Sequence, residues 1–256
     1  MRELAAERPR FGYRRLHVLL VREGRAVNRK RVYRLYRREG LAVRKRPRKK
    51  LRAVRPMPLP APARPNERWA MDFVHDYLVD GRRLRTLNIV DAYTRECLAI
   101  EVDTSLAGGR VARVLDTLLA KHGRPSGITV DNGPEFISQA LDRWAFAHGV
   151  VLHFIQPGKP VQNAYVESFN GRFRDECLSQ AHYPTLARAR VEIELWRVDY
   201  NRVRPHSALD YRTPEAFGEL ARAVVSVAPR GLPAAAVGVA GELGHTLVDC
   251  KLGKVG

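Results

Sequence analysis

The positive charge of this chain is concentrated at its N-terminal end, which indicates two modules of different character. Residues 1–68 contain 23 Lys and Arg against 5 Asp and Glu, whereas residues 69–256 contain 22 of each. The first part therefore accounts for the whole net charge of +18. A chain of 256 residues can form one medium domain with a small accessory module. A basic module on a neutral domain is typical of an arm that binds a polyanion; a highly charged, solvated surface is the alternative.

Residues 1–43 have the pattern of two short helices joined by a tight turn. Leu16, Leu19 and Leu20 repeat at helical spacing before Gly24, which is typical of a helix end. Asn28 is a typical N-cap for a second helix that extends to residue 40. This is the layout of a helix-turn-helix, whose second helix enters the major groove of DNA. A basic helical hairpin with no groove preference is the alternative. The cations predicted to contact DNA are Arg29, Lys30, Arg31, Arg34, Arg37 and Arg38.

Two further segments lack the pattern of a packed core. Residues 44–66 are basic and rich in proline, which predicts a semi-stiff linker that follows phosphates. Residues 223–256 form a tail rich in Ala, Gly and Val, with no role that the sequence indicates. Residues 67–222, which lie between these segments, are expected to form the main domain.

The cysteines and the apolar runs restrict the cellular compartment. Cys97, Cys177 and Cys250 are odd in number and far apart, so they predict neither a disulfide framework nor a zinc site. The N-terminus has no apolar signal segment, and no apolar run approaches the roughly 20 residues of a membrane-spanning helix. We therefore expect a soluble protein of a reducing compartment that has no membrane contact.

Residues 67–222 alternate between strand-like and helix-like patterns. Asp80-Gly81 is a strong hairpin signal between the first two strand-like runs. A helical run at 107–122 and a second helix capped by Ser138 are expected between later strands. These patterns predict an α/β fold with a mixed five-stranded sheet flanked by helices. The predicted strands are residues 68–77, 83–91, 96–102, 127–130 and 150–155.

Three acidic residues stand where such a sheet would bind a ligand. Asp72 lies in the first predicted strand and Asp131 at the carboxyl end of the fourth. Glu167 lies on a later helix, where it is expected to face outward on one polar face with Asn163 and Asn170. The first pair is separated by 58 residues and the second by 35. Carboxylates that share one site raise each other's pKa unless a multivalent cation lies among them. The pattern indicates divalent-metal and phosphate chemistry, and Asp91 is the alternative first carboxylate.

Six sequence strings, in order along the chain, resemble one known family. The strings are Trp69-Ala-Met-Asp-Phe73, Ile89-Val-Asp-Ala-Tyr-Thr-Arg95, Asp131-Asn-Gly-Pro-Glu-Phe136, Pro157-Gly-Lys-Pro160, Gln162-Asn-Ala-Tyr-Val-Glu-Ser-Phe-Asn-Gly171 and Tyr200-Asn-Arg-Val-Arg-Pro-His206. Together they resemble bacterial insertion-sequence transposases of the OrfB type. The catalytic core of that family is retroviral-integrase-like, with a ribonuclease H-like fold. The resemblance extends over about residues 9–217, most of the chain.

The resemblance implies an integrase-type catalytic core at residues 67–222. It assigns Asp72, Asp131 and Glu167 as catalytic residues that bind two divalent cations, magnesium with manganese as a substitute. Asp72 is preferred to Asp91 because its Trp-x-x-Asp setting matches the catalytic first strand of the family. The implied activity is metal-dependent DNA cleavage and strand transfer, the integration of an insertion sequence by a polynucleotidyl transferase. Further DNA contacts are expected at Asn132, Lys159, Gln162, Asn163, Asn170 and Arg174.

The resemblance also implies partners and a location. The partners are double-stranded DNA at the element's ends and at the target, other copies of the chain in a synaptic complex, and an upstream-frame helix-turn-helix protein. The implied location is the bacterial cytoplasm, at the nucleoid. Three alternatives stay open: a DNA-binding regulator without catalysis, a nuclease that does not join strands, and a truncated or inactive copy. Packing or DNA-backbone contact is expected for Asn201, Arg204, Pro205 and His206.

Overall fold

The computed structural model describes residues 1–43, 60–156 and 160–227. Most of the predicted linker, Lys159 and most of the predicted tail lie outside these ranges. No helix within the described ranges is long and apolar enough to cross a membrane. The domain boundaries assigned from sequence stay predictions.

The N-terminal module contains three helices rather than the two that were predicted. Helix α1 is Arg2–Glu7, α2 is Tyr13–Arg22 and α3 is Arg29–Arg38. The predicted cap is confirmed, because Asn28 Oδ1 accepts a hydrogen bond from the backbone N–H of Lys30 at 2.7 Å. Helix α1 was not predicted because it is only six residues long and none of its residues is fully buried. The core of the module consists of Phe11, Leu16, Leu19 and Tyr36.

The sheet is mixed and five-stranded, as predicted. Its spatial order is β3-β2-β1-β4-β5, with β1 antiparallel to β2, β2 antiparallel to β3, and the pairs β1–β4 and β4–β5 parallel. The hairpin between β1 and β2 turns at Gly81, whose φ of 82° is readily adopted by glycine. The strands are β1 Arg68–Tyr77, β2 Arg83–Asp91, β3 Cys97–Asp103, β4 Gly127–Val130 and β5 Val151–Phe154.

Helices cover both faces of the sheet. Side chains alternate along β1, so that Trp69 and Met71 pack with α4 and α5, whereas Ala70 and Val74 pack with α6 and α7. Asp72 lies between Ala70 and Val74 on the second face. This alternation brings the carboxylate beneath α6. The helices are α4 Gly108–His122, α5 Gln139–His148, α6 Ala164–Glu176, α7 Leu186–Arg202 and α8 Pro214–Val227, with short 3-10 helices at Pro160–Asn163, Leu178–Gln180 and Ser207–Leu209.

Arginine side chains attach the N-terminal module to the main domain. Arg8 forms a two-pronged ion pair with Asp199 of α7. Arg22 donates to the backbone carbonyls of Val203 at 2.8 Å and Tyr211 at 3.0 Å. These contacts join segments almost 200 residues apart in sequence, so local patterns could not have predicted them.

Arg204 occupies the centre of this junction. Its side chain is 1% exposed and donates two hydrogen bonds, both of 2.6 Å, to the carboxylate of Glu176. The same guanidinium lies 5.6 Å from the ring centre of Phe11 in the N-terminal module and 5.6 Å from that of Tyr200 in α7. Cation–π attraction and a bidentate ion pair therefore act on one buried group.

We expect Arg204→Ala to lower the free energy of unfolding by about 3–5 kcal/mol, because it leaves Glu176 largely buried without its bidentate partner. The matched control is Arg202→Ala, which removes an ion pair with Glu215 whose side chains are 64% and 35% exposed. That loss should be below about 1 kcal/mol. Urea unfolding of both variants measures the difference. Equal losses in the two variants would contradict the central role of Arg204.

Candidate active site

Asp72 occupies the middle of β1, directly opposite Asn88 of β2. Its Oδ1 accepts a hydrogen bond from the backbone N–H of Phe73 and its Oδ2 accepts one from Asn170 Nδ2, both at 2.7 Å. Burial first, and then the charge of Asp131, raises the pKa of this carboxyl to about 6 against the opposing effect of its hydrogen-bond donors. The ionised form of Asp72 is therefore less favourable in the folded protein than in water.

Asp131 follows β4, which lies parallel to β1. The last paired residues of the two strands are Ala70 and Thr129, so Asp72 and Asp131 each lie two residues further on. Adjacent strands are about 4.8 Å apart, and this register therefore places the two aspartates side by side. Asp131 Oδ1 accepts from the backbone N–H of Gly133 at 2.9 Å. A Cβ atom at Gly133 would lie 2.9 Å from that same oxygen, so a larger residue there would displace the carboxylate of Asp131.

Glu167 approaches Asp72 from α6. Its side chain is exposed, as predicted, and its pKa is raised first by partial burial and then by the negative charge of Asp72. Asp72 is thus the common neighbour of both other acids. The structure therefore couples Asp72 to each of the other two acids that sequence analysis selected.

Two observations bear on whether these residues can bind a cation, and they point in opposite directions. Within the described part of the chain, no three His, Cys, Asp or Glu side chains are close enough together to hold one ion. Asp72 is nevertheless electrostatically coupled to both Asp131 and Glu167. The set offers the oxygen ligands that hard divalent cations prefer, but in this arrangement no three of them are close enough to hold one ion.

Two buried amides fix α6 against the strand that carries Asp72. Asn163, 3% exposed, donates to the backbone carbonyl of Met71 at 3.3 Å. Asn170, 1% exposed, donates to Asp72 and accepts from Asn88 Nδ2 at 2.7 Å. Glu167 lies between these two residues on the same helix face. Its backbone is therefore held from both sides.

This arrangement corrects one expectation. The sequence placed Asn163 and Asn170 with Glu167 on an outward polar face, whereas both amides are inside the protein. Asn170 finds a hydrogen-bond partner inside in Asn88, a fully buried polar residue in β2, and Asn163 finds one in the carbonyl of Met71. Sequence reasoning missed Asn88. Its signal was a single amide within the apolar run Leu87 to Val90.

The other predicted DNA contacts lie around this centre. Asn132 is exposed and donates to the backbone carbonyl of Ile155 at 2.8 Å, which fixes the turn after Asp131 to the end of β5. Gln162 accepts from the backbone N–H of Gln156 at 2.7 Å. Arg174 is exposed at the end of α6, and its charge favours ionisation of Asp72. The six cations of α3 are all exposed. DNA contact by these residues stays a prediction.

The alternative first carboxylate, Asp91, is a structural residue. It is 2% exposed, and its two oxygens accept from the backbone N–H groups of Asn66, Tyr93 and Thr94 at 2.7–2.9 Å. These hydrogen bonds close the turn between β2 and β3. Asp91 therefore has a complete set of internal partners, unlike Asp72.

The string at residues 200–206 also has structural roles. The amide of Asn201 accepts from the backbone N–H of Cys97 and donates to its carbonyl, both at 2.9 Å, which fixes the start of β3 to α7. His206 is 5% exposed, with its ring edge-on to Tyr200 at 4.6 Å. The expectation that these residues pack is confirmed.

The fold and the chain's resemblances to known proteins agree. Residues 62–160 and 148–214 match the family described as the integrase core domain, and residues 1–50 match an HTH-like domain. An uncharacterized 31.7 kDa protein of insertion element IS407 from Burkholderia multivorans is 53% identical over 221 residues, which cover 86% of this chain and 80% of that protein. The chain belongs to the bacterial insertion-sequence transposases with an integrase core. The activity of this class is DNA cleavage and integration.

Two further insertion-element proteins and one solved structure also resemble this transposase. An uncharacterized 39.2 kDa protein of insertion element IS476 from Xanthomonas euvesicatoria is 47% identical, over 84% of this chain and 62% of that protein. The transposase InsD of Escherichia coli is 29% identical, over 82% of this chain and 74% of InsD. A chain of the simian T-cell lymphotropic virus intasome, solved with a PP2A regulatory subunit, has a TM-score of 0.55 and 18% identity, over 72% of this chain and 63% of that one. This last match confirms the integrase-type, ribonuclease H-like fold.

We expect Asp72→Asn to raise the free energy of unfolding of the metal-free transposase by about 1–3 kcal/mol at pH 7 to 8. The folded-state pKa of about 6 lies above the ordinary value of 3.8, so ionisation above pH 6 costs the folded state more than the unfolded one. The gain should shrink between pH 6 and 4 and vanish below, where both states are protonated. Urea unfolding with a chelator, from pH 4 to 8, measures it.

The control is Asp142→Asn, which neutralises an exposed carboxylate on α5. It should show no comparable gain at pH 7. A stabilisation by Asp72→Asn that stays constant with pH, or that grows toward acid, would show that burial does not set the pKa of this carboxyl.

Proposed function

We propose that this transposase cleaves and joins DNA strands at a centre formed by Asp72, Asp131 and Glu167. The coupling of Asp72 to both other acids is the observation that carries this assignment. Two divalent cations, magnesium or manganese, would neutralise the attacking and leaving oxygens during in-line displacement at phosphorus. The proposed sequence is hydrolysis at the element's ends, followed by attack of the freed 3′-hydroxyl on target DNA.

The roles of the protein groups follow from their contacts. Asp72 must be ionised to act as a ligand, and the N–H donors of Phe73 and Asn170 favour that state. Asp131 is oriented by its hydrogen bond from Gly133. Glu167 is exposed and can change rotamer without disturbing the core. Two fixed carboxylates and one adaptable carboxylate would therefore hold the cations that bind the substrate phosphate.

In this proposal the N-terminal module binds duplex DNA. Its α3 presents six exposed cations, and its α2 and α3 pack together as a helix-turn-helix requires. We propose that α3 binds the element's ends and that two or more copies bring both ends together in a synaptic complex. An isolated subunit would then bind DNA without joining it.

Replacing Asp72 by Asn or Glu167 by Gln should reduce strand transfer by about a thousandfold or more, because each change removes one ionic oxygen ligand. Duplex binding should change by less than about threefold, since the basic arm is intact. The measurement combines magnesium, a labelled terminal-repeat duplex and a plasmid target. Joined and merely cleaved products are then separated on a gel.

The control is again Asp142→Asn, which should join strands as the parent does. Normal joining by either triad variant would refute the assignment of that residue. A parent protein that yields cleaved ends but no joined product would identify a nuclease instead of a transposase.

Replacing both Arg31 and Arg34 by Gln should weaken duplex binding and lower the slope of log K against log salt by about 2. The reason is that each exposed cation is expected to displace about one counterion from a phosphate. Fluorescence anisotropy at several salt concentrations measures the slope. Arg143→Gln, an exposed change on α5, serves as the control. An equal effect of that single change would remove the case for α3 as the DNA-binding helix.

A further inference from the structure

A cleft of about 670 Å³ lies between the N-terminal module and the main domain. Its walls are the start of α2, one side of α3 and the turn at residues 207–211 of the main domain. Three arginines, four tyrosines and one serine line it, and no carboxylate of the described residues does. Its volume lies within the range of about 300–1,000 Å³ that is usual for ligand sites. The lining is therefore suited to an anion.

Arg14 is an exposed cation of this lining whose hydrogen-bond partners are neutral. Its Nε donates to the hydroxyl of Tyr13 at 3.2 Å, and hydrogen bonds to Tyr13 and to Tyr211 raise its pKa. Tyr13 belongs to the module and Tyr211 to the main domain, so the guanidinium is oriented from both sides of the cleft. Neutral hydroxyls fix its position without cancelling its charge. That charge is available to an anion.

Arg15 is a second cation that is only partly compensated. Its side chain is 22% exposed, and its Nη1 lies 3.9 Å from the carboxylate of Glu176. Glu176 already accepts two hydrogen bonds of 2.6 Å from Arg204. Burial first, and then the charge of Arg204, lowers the pKa of Arg15 to about 10, so the group is still charged at neutral pH. An anion in the cleft would stabilise this charged form.

The main-domain wall of the cleft has an uncommon backbone conformation. Asp210 and Tyr211 have φ values of 51° and 62°, in the left-handed region that a residue as bulky as tyrosine seldom adopts. The N–H of Tyr211 donates to the carbonyl of His206 at 2.8 Å, and its own carbonyl accepts from Arg22 of the module at 3.0 Å. Backbone strain of this kind is concentrated at functional sites. It favours a functional role for the cleft.

The cleft adjoins the surface of α3 that is proposed to bind duplex DNA. Arg37 lines the cleft, and Arg34, three residues earlier, is its neighbour on the helix surface. Tyr33, which is 46% exposed, lies on the same side of α3 as Arg37. A DNA strand that contacts Arg34 is therefore within reach of Arg37 and of the cleft.

We propose that this cleft binds the sugar–phosphate backbone of the DNA that α3 holds, with one phosphate among Arg14, Arg15 and Arg37. Arginines, tyrosine hydroxyls and helix N-termini are groups that commonly contact DNA phosphates, and α2 begins here at Gly12 without a side-chain cap. Such a contact positions the DNA without reading its sequence. The bound strand connects the module to the main domain, because each supplies one wall. This inference rests on the proposed function, since it takes DNA as the ligand.

The first test compares Ser207→Glu with Ser207→Gln in the full chain. Ser207 is an exposed residue of the main domain that lines the cleft. The two replacements are equal in size, and only the first adds a negative charge. We expect Ser207→Glu to bind a terminal-repeat duplex about 10-fold more weakly than Ser207→Gln, because its carboxylate repels the phosphate and occupies the arginines. Fluorescence anisotropy in the presence of a chelator measures the difference.

The control for added charge is Ala187→Glu, an exposed change on α7 outside the cleft, which should bind the duplex as the parent does. Thermal unfolding verifies that each variant is folded.

The second test locates the phosphate. Each phosphate of the duplex is replaced in turn by an uncharged methylphosphonate, and binding by the parent and by Arg14→Gln is measured. At one position the replacement should weaken binding by the parent about 5-fold, but binding by Arg14→Gln less than about 2-fold, because the cation that contacts that charge is already gone. Arg143→Gln, an exposed change on α5, should show the profile of the parent.

Equal binding by Ser207→Glu and Ser207→Gln would overturn the proposal, and the cleft would then be open to an acidic protein segment instead. A loss in Ala187→Glu as large as that in Ser207→Glu would overturn it too, since overall charge would explain both. So would a methylphosphonate profile of Arg14→Gln that matches the parent's. Failure of the proposed function is distinguished by the parent protein, which would then produce no joined strands. Failure of the present inference leaves joining by the parent intact.

Discussion

The attachment of α6 to β1 is the constraint on which the active site depends. Asn163 and Asn170 hold the helix to the strand at two places, one through the carbonyl of Met71 and one through the carboxylate of Asp72. Glu167 lies four residues after the first amide and three before the second, so its backbone cannot move without breaking a buried hydrogen bond. Because buried amides without partners are costly, the sheet and the helix reach one defined spacing. The third carboxylate is thereby brought to the other two.

That spacing has an electrostatic consequence. Burial raises the pKa of Asp72 and of Glu167, and repulsion from a neighbouring carboxylate, that of Asp131 for Asp72 and that of Asp72 for Glu167, raises both further. Neighbouring donors offset part of this rise, since Asn170 and the N–H of Phe73 both favour ionised Asp72. A cation bound among these carboxylates, as proposed, would offset the remainder.

Local signals in the sequence predicted most of the fold but only part of the site. The Asp-Gly turn, the caps at Asn28 and Ser138 and the alternation along β1 are decided by neighbouring residues, and each is present in the structure. The inward position of Asn170 depends instead on Asn88, 82 residues away. A helical period shows which residues share a face, but not which of them the sheet will bury. Hydrogen bonds between residues so far apart in sequence can be identified only in the folded structure.

The same helix also connects the active site to the DNA-binding module. Glu176 is the last residue of α6, and Arg204 holds it by two hydrogen bonds while lying beside Phe11 of the N-terminal module. Arg15 of α2 approaches the same carboxylate, at 3.9 Å. A displacement of the module must therefore disturb a buried ion pair at one end of α6. One arginine thus contacts both the N-terminal module and the helix that carries Glu167.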